Sequence, residues 1–516
     1  MNGALARCAI RHYGIWFASL FSLTIFSGLA GDWPQYRGPN HNGTSSDRIN
    51  KQWTGSVTNR LWLVSLTNGL SSFAVKGGCA FTQVRREFPA GEKEVCIALS
   101  ITNGMELWAT PVEDNTQYDG GVGDTDDGPR TTPAVDGDSV YVLSSYLNLY
   151  RLNATNGVVI WHKDLHAIYG SQFIGWQNAA SPRIEDGLIF INANCSTSSL
   201  MALRTSDGEP AWRSQNERMT HSTPVLTTMH GVRQLIFAAQ SGLVSLNPQT
   251  GARLWKHNYP FGYNTSLATS PAVCEDMVFI TAYYGMGSAV VRIVNSNSTL
   301  VTTQLWRNTS LQSHWSTPVC HQGFLYGQFT PDWWDAQLRC INMTNGTLMW
   351  ATNGFGRGSV LLIDGHLLAI TERGQLVLAR ATPTAYTEVA RFLAIPNYAD
   401  NMNKCWNSLA VSDGRVYVRS TAYAAVFDFS VPPLKLDPPL FTPANRFELT
   451  VRTADGTPLD SNRLAGLGVR ASADVNLLPS MWTPVTNPLI FSGGVVRITN
   501  LDANAPQQFF IVTEPK

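Results

Sequence analysis

The sequence is poor in charge: Lys, Arg, Asp and Glu make up 14 % of its 516 residues, and 37 cationic side chains cancel 37 anionic ones. A chain with no net field has nothing to draw it onto a polyanion, which excludes nucleic-acid binding. Its eight cysteines are scattered, with no Cys-x-x-Cys zinc pair and no Cys-x-x-Cys-His haem site. There is no Gly-x-Ser-x-Gly elbow, no His-Glu-x-x-His and no phosphate loop, so hydrolase and nucleotide chemistry have no support. After the first 30 residues no apolar run is long enough to span a bilayer. Within those 30 residues the apolar run Ile15 to Phe26 follows Arg7 and Arg11, is short for an uncleaved membrane anchor, and leads into Gly28-Leu29-Ala30, the pattern of a signal peptide cut after Ala30. The mature chain is therefore expected in the periplasm or outside the cell, with no lipidation cysteine after the cut. Removal of Cys8 leaves seven cysteines, an odd number that cannot all pair. Cys79 and Cys96 flank a hairpin and stand either as a disulfide or as two buried thiols.

What the sequence has in quantity is glycine, proline and tryptophan (42, 27 and 16 residues) among Thr, Ser, Val and Asn, a mixture of short strands and turns. Two signatures recur. A small polar pair opens an apolar stretch at Ser71-Ser72, Thr131-Thr132, Ala180-Ser181, Ser222-Thr223, Thr269-Ser270, Ser316-Thr317, Gly358-Ser359 and Asn407-Ser408, at steps of 60, 49, 42, 47, 47, 42 and 49 residues. A Gly stands four residues before Trp108, Trp161, Trp212, Trp255 and Trp350, whereas Trp306 lacks it. Within a unit, Asp-Gly or a similar pair links apolar runs, the mark of a hairpin. Four-stranded sheets that repeat in this way bury both faces only by stacking radially, which predicts an all-β, eight-bladed propeller. Trp62, Trp108, Trp161, Trp212, Trp255, Trp306 and Trp350 are then expected between blades, each offering a large flat area and one N–H donor.

Trp62 lies in Leu61 to Leu66, an outer-strand pattern that precedes the first inner strand, and the last unit stops at Phe427-Asp428 without its own Gly and Trp. The surplus at one end matches the deficit at the other, so both termini are expected to share a blade. The organisation read from this is a signal peptide (1–30), an opening segment (31–60), the propeller (61–430), a Pro-rich linker (431–439) and a small β domain (440–516).

The Gly-x-x-x-Trp that closes units of about 47 residues resembles the tryptophan-docking repeat of pyrroloquinoline quinone (PQQ) propellers, the quinoprotein alcohol dehydrogenase-like superfamily. Asp32-Trp33-Pro34-Gln35-Tyr36-Arg37-Gly38-Pro39-Asn40 and Gly128 to Gly137 are similar to segments of its secreted bacterial members. The resemblance implies one of two functions. Non-catalytic relatives include an envelope propeller that supports outer-membrane protein assembly by binding partners, and a binding or scaffolding role in the envelope is the reading placed first. The alternative is a PQQ-dependent alcohol or sugar dehydrogenase, with quinone as hydride acceptor, calcium polarising it and a carboxylate as base. The adjacent Cys-Cys of quinone-using relatives is absent here.

Side chains just before the inner strands converge on one mouth of a propeller channel. Those positions hold Arg130, Asn178, His221, His314, Trp315, Arg357, Lys404 and Trp406, a polar, aromatic and basic set suited to a small anionic or aromatic ligand, or a quinone. His221 and His314 are its acid–base candidates. Asp119, Asp124, Asp126 and Asp127, set among glycines, form an oxygen-rich loop that calcium would favour, although the spacing is not that of an EF-hand.

Overall fold

A computed structural model describes residues 31–516 except 52, 54–58, 119–127, 262–266, 298, 331–335, 397–403, 505–507 and 515–516. Two compact units emerge, Gly31–Phe429 and, among the described residues, a second that starts at Ser430.

The first unit is an eight-bladed propeller of antiparallel sheets. Blades 1 to 7 follow the chain, with inner strands at Ala74–Lys76, Ala134–Asp136, Arg183–Glu185, Val225–Met229, Ala272–Cys274, Val319–His321 and Ser359–Ile363. Blade 8 combines Ala410–Ser412, Arg415–Arg419 and Tyr423–Asp428 with the amino-terminal strand Arg60–Ser65, which pairs antiparallel to Tyr423–Asp428. The ring is thus closed by hydrogen bonds between the two ends of the unit, as the incomplete last repeat requires.

Core clusters lie between blades. Phe81, Ala98 and Trp108 of blade 1 meet Val140, Val142 and Leu152 of blade 2, and similar clusters fill the following gaps. Six of the seven repeated tryptophans donate Nε1–H to a backbone carbonyl of the following blade: Trp62 to Ile101, Trp108 to Ala154, Trp161 to Thr205, Trp212 to Pro248, Trp306 to Met343 and Trp350 to Thr382, at 2.8–3.1 Å. Trp255 departs from the expectation, bonding to Gln234 Oε1 in its own blade at 2.6 Å. The reason is visible in the repeat. Each Gly of Gly-x-x-x-Trp packs on the tryptophan of the preceding blade, as Gly157 does on Trp108 and Gly346 on Trp306. Blade 5 lacks that Gly and has a long hairpin, Gly287–Ser296 and Thr299–Asn308, in place of the short turn.

The small polar pairs acquire a structural role as well. The backbone N–H of Ser72 donates to Thr132 Oγ1, that of Thr132 to Ser181 Oγ, that of Ser181 to Thr223 Oγ1 and that of Ser270 to Thr317 Oγ1, at 2.9–3.1 Å. These buried hydroxyls stitch one inner strand to the next.

The opening segment lies across the side of the ring where the inner strands end. Trp33 bridges to Val75, Val135 N–H donates to Pro34 O, Ile184 N–H to Gln35 Oε1 and Leu226 N–H to His41 Nδ1. Arg37 bonds Thr317 O and Pro318 O, Thr44–Ser45 pairs parallel to Leu362–Ile363, and Asp47 accepts from Gly414 N–H. Seven of the eight blades are engaged by this one stretch.

Cys79 and Cys96 are free, one half-buried and one buried. The disulfide is instead Cys274–Cys320, which joins the inner strands of blades 5 and 6. In the second unit, Arg446–Thr453 alternates buried and half-buried residues and pairs with Val495–Asp502, while Gly468–Ser472 pairs with Phe509–Thr513. Phe447, Leu449, Val469, Ile498 and Phe510 share its core. The Pro-rich stretch expected as a linker contributes the strand Leu434–Leu436 to this sheet.

Candidate functional site

Each mouth residue sits in the connection that leaves one blade's outer strand and enters the next blade's inner strand, so the repeat itself delivers them to one end of the ring. They form two groups.

In the first group, Arg130 Nη1 donates to Trp176 O at 2.9 Å and its guanidinium lies 5.2 Å from the Tyr118 ring. His221 is buried and contacts Gln177 O at 2.7 Å. A carbonyl only accepts, so Nε2 carries the proton. Asn178 is also buried; its Nδ2 donates to Ser144 O and Ala180 O and its Oδ1 accepts from Ala180 N–H, which uses the side chain up on backbone. Trp176 and Gln177 both have positive φ, 59° and 56°, so two successive residues with side chains hold a conformation that costs roughly 1 kcal/mol each.

The second group is aromatic and basic. His314 lies 4.4 Å from Trp315 and 4.8 Å from Tyr283, and Trp315 lies 4.4 Å from Trp406 with the indoles tilted by 44°. Arg357 sits over both indoles, at 5.4 and 4.9 Å, and Lys404 Nζ over Trp406 at 4.8 Å. Sequence reasoning missed the residue that ties these together. Glu372 Oε1 accepts from Arg357 Nη2 at 3.1 Å and from Trp406 Nε1 at 2.8 Å. Glu372 lies in the turn between the second and third strands of blade 7, not before an inner strand, so the rule that found the others passed it by. Tyr283 and Tyr284 occupy the equivalent turn of blade 5, where the sequence shows aromatics without saying which way they face.

The two groups feel each other. Burial lowers His221 to about 4, with the Arg130 charge adding to the effect. Burial lowers His314 to about 3, helped by Arg357 and by His221. Both imidazoles are therefore neutral and weakly basic near pH 7, poorly matched to general-base work there.

The chemistry of the donor set bears on a quinone. Trp315 and Trp406 contact each other instead of framing a slot for a planar ring, and Arg357, the cation best placed for a carboxylate, is already paired with Glu372. These residues do not fit the cofactor. Asp119, Asp124, Asp126 and Asp127 lie outside the described residues. Among the described residues no helix is long and apolar enough to cross a membrane.

A further carboxyl lies beside the first group. Glu94 is fully buried and accepts from Tyr118 Oη at 2.8 Å and from Ser145 N–H at 3.1 Å. Burial raises it to about 7.

Comparison with known proteins returns the same architecture. Residues 91–352 match the family model described as outer membrane protein assembly factor BamB. The BamB of Moranella endobia (strain PCIT) is 23 % identical over 262 residues, which cover 48 % of this chain and 63 % of that protein, so the match spans less than two thirds of the relative. BamB from Moraxella catarrhalis aligns with 71 % of this chain and 98 % of its own at 15 % identity and a TM-score of 0.49. The quinohemoprotein alcohol dehydrogenase of Comamonas testosteroni aligns with 77 % of this chain and 80 % of its own at 13 % identity and a TM-score of 0.51, a likeness of fold.

Proposed function

Because the chain belongs to the family described as outer membrane protein assembly factor BamB, a family of PQQ-repeat propellers, we propose that it is an exported binding or scaffolding protein of the bacterial cell envelope, working in the periplasm or outside the cell through protein partners. The observation that carries this reading is how the two ends of the ring are used. One is covered by residues 33–47, bonded to seven blades. At the other, the side chains with chemical capacity are spent on internal partners: Arg357 and Trp406 on Glu372, His221 on Gln177 O, Asn178 on backbone. A surface of this kind is preorganised, which lowers the ordering cost of binding a partner.

The test uses residues 31–516, purified and titrated with PQQ and calcium, following quinone absorbance and dye reduction with alcohols and sugars. The expected result is no stoichiometric binding and no turnover. In cells, loss of the protein should lower the outer-membrane content of β-barrel proteins while alcohol oxidation is unchanged. Stoichiometric quinone binding with turnover would overturn the proposal in favour of a dehydrogenase.

A further inference from the structure

On the covered side of the propeller lies a cavity of about 200 Å³, lined by Arg37, His41 and Asn42 of the opening segment and by residues in and next to the inner strands of blades 4 to 6, among them Thr227, the turn residue Glu275 and the disulfide residue Cys320. It is separate from the open mouth and does not depend on the function proposed above.

A buried cation is part of its wall. Arg37 is buried, and its guanidinium donates to three neutral carbonyls, Thr317 O, Asn42 O and Pro318 O, each at 2.8 Å. Among the described residues no carboxylate pairs with it. Arg183, also buried, lies near enough for the two charges to repel; it donates to Pro224 O and Tyr36 O, and its Nη2 has no partner. Burial lowers Arg37 to about 10 and Arg183 to about 9. A buried cation without a counter-charge costs several kcal/mol, and an anion brought beside it recovers part of that. Arg37 has five donors and three carbonyl acceptors, so donors remain for a ligand.

We propose that this cavity binds a compact monocarboxylate. Arg37 supplies the charge and N–H donors, a guanidinium being the side chain best matched to a carboxylate. Val225 and Pro318 in the lining offer apolar wall to a short alkyl chain. Glu275 lines the same cavity, is exposed, and has no ion pair or hydrogen bond among the described residues. Its negative charge disfavours each further negative charge on a ligand by about threefold, the effect of one nearby like charge at high dielectric, and the small cavity with apolar wall favours a short monocarboxylate.

The experiment is thermal shift and calorimetry on residues 31–516 with acetate, butyrate and inorganic phosphate at constant ionic strength. Butyrate is expected to stabilise the protein saturably at millimolar concentration, and acetate and phosphate more weakly. Thr227→Phe, which fills the cavity without touching Arg37, is expected to abolish the shift while keeping the ligand-free Tm. Glu275→Gln is expected to tighten butyrate by about threefold, the effect of removing one nearby like charge at high dielectric. Arg37 itself is left intact, because it also holds the start of the blade 6 inner strand. No saturable shift in the parent chain, an undiminished shift in Thr227→Phe, or phosphate binding as well as butyrate would overturn the proposal.

Discussion

Trp108 makes its contribution through three contacts at once: area against Phe81, an Nε1–H bond to Ala154 O, and Gly157 of the next blade lying on its ring. Trp108→Ala is expected to cost about 3 to 5 kcal/mol in chemical denaturation, whereas Trp108→Phe, which keeps most of the area, loses closer to 1 or 2. Gly157→Ala should also destabilise, because φ is +73° and the added methyl would sit 2.6 Å from the Trp108 ring. Titratable residues set opposite pH slopes. His221 and His314 are lowered to about 4 and about 3, so their contribution is full above the unfolded value of 6.5 and is lost as pH falls toward those values, by up to about 3 kcal/mol for His221 and about 5 kcal/mol for His314. Glu94 is raised to about 7, so its contribution is full below the unfolded value of 4.5 and is lost as pH rises through 7. Urea midpoints from pH 4 to 8 should show the acid loss reduced in His314→Asn, and the stability of Glu94→Gln gaining on that of the parent chain between pH 5 and 8.

Strands and their connections behave as a repeated unit with one marked exception. The Gly absent before Trp306 announces that the preceding tryptophan, Trp255, has no short turn to bond, and the structure gives it Gln234 instead. That irregularity was legible in the sequence, although its consequence falls one blade earlier. The disulfide was not legible. Cys274 and Cys320 are 46 residues apart, one repeat, and only the radial stacking brings them to a Cα separation of 5.8 Å. Cys79 and Cys96 were the better-looking pair in sequence, yet they lie on neighbouring strands out of register, opposite Ser100 and Gln83. Breaking the Cys274–Cys320 bond, by reductant or by Cys274→Ser, is expected to lower unfolding free energy by about 4 kcal/mol for a loop of this length, and Cys79→Ser to matter far less. The measurement is a denaturation curve with and without reductant.

Ring closure belongs to the whole molecule. Arg60–Ser65 completes blade 8 and residues 33–47 engage seven blades, so the first 35 residues of the propeller unit hold contacts spread around its circumference. Deleting residues 31–65 is expected to abolish cooperative unfolding and expose a sheet edge that self-associates, whereas deleting 31–47 alone should leave a closed ring of lower stability. Light scattering and calorimetry would separate the two outcomes.

Repeat spacing, the strand pattern and the missing outer strand of the last unit determined the eight-bladed architecture and the joining of its ends, because both follow from local pattern and from the need to bury two faces of every sheet. That Arg130, Asn178, His221, His314, Trp315, Arg357, Lys404 and Trp406 lie in the connections that enter the inner strands followed from the same periodicity. What those side chains do there was decided by tertiary structure alone: Glu372, a turn residue with no signature, takes up Arg357 and Trp406, and Trp315 rests on Trp406. The path of residues 33–47 over the opposite end was likewise invisible in sequence, since its partners lie as much as 367 residues away and are mostly backbone groups, which leave no mark on residue type.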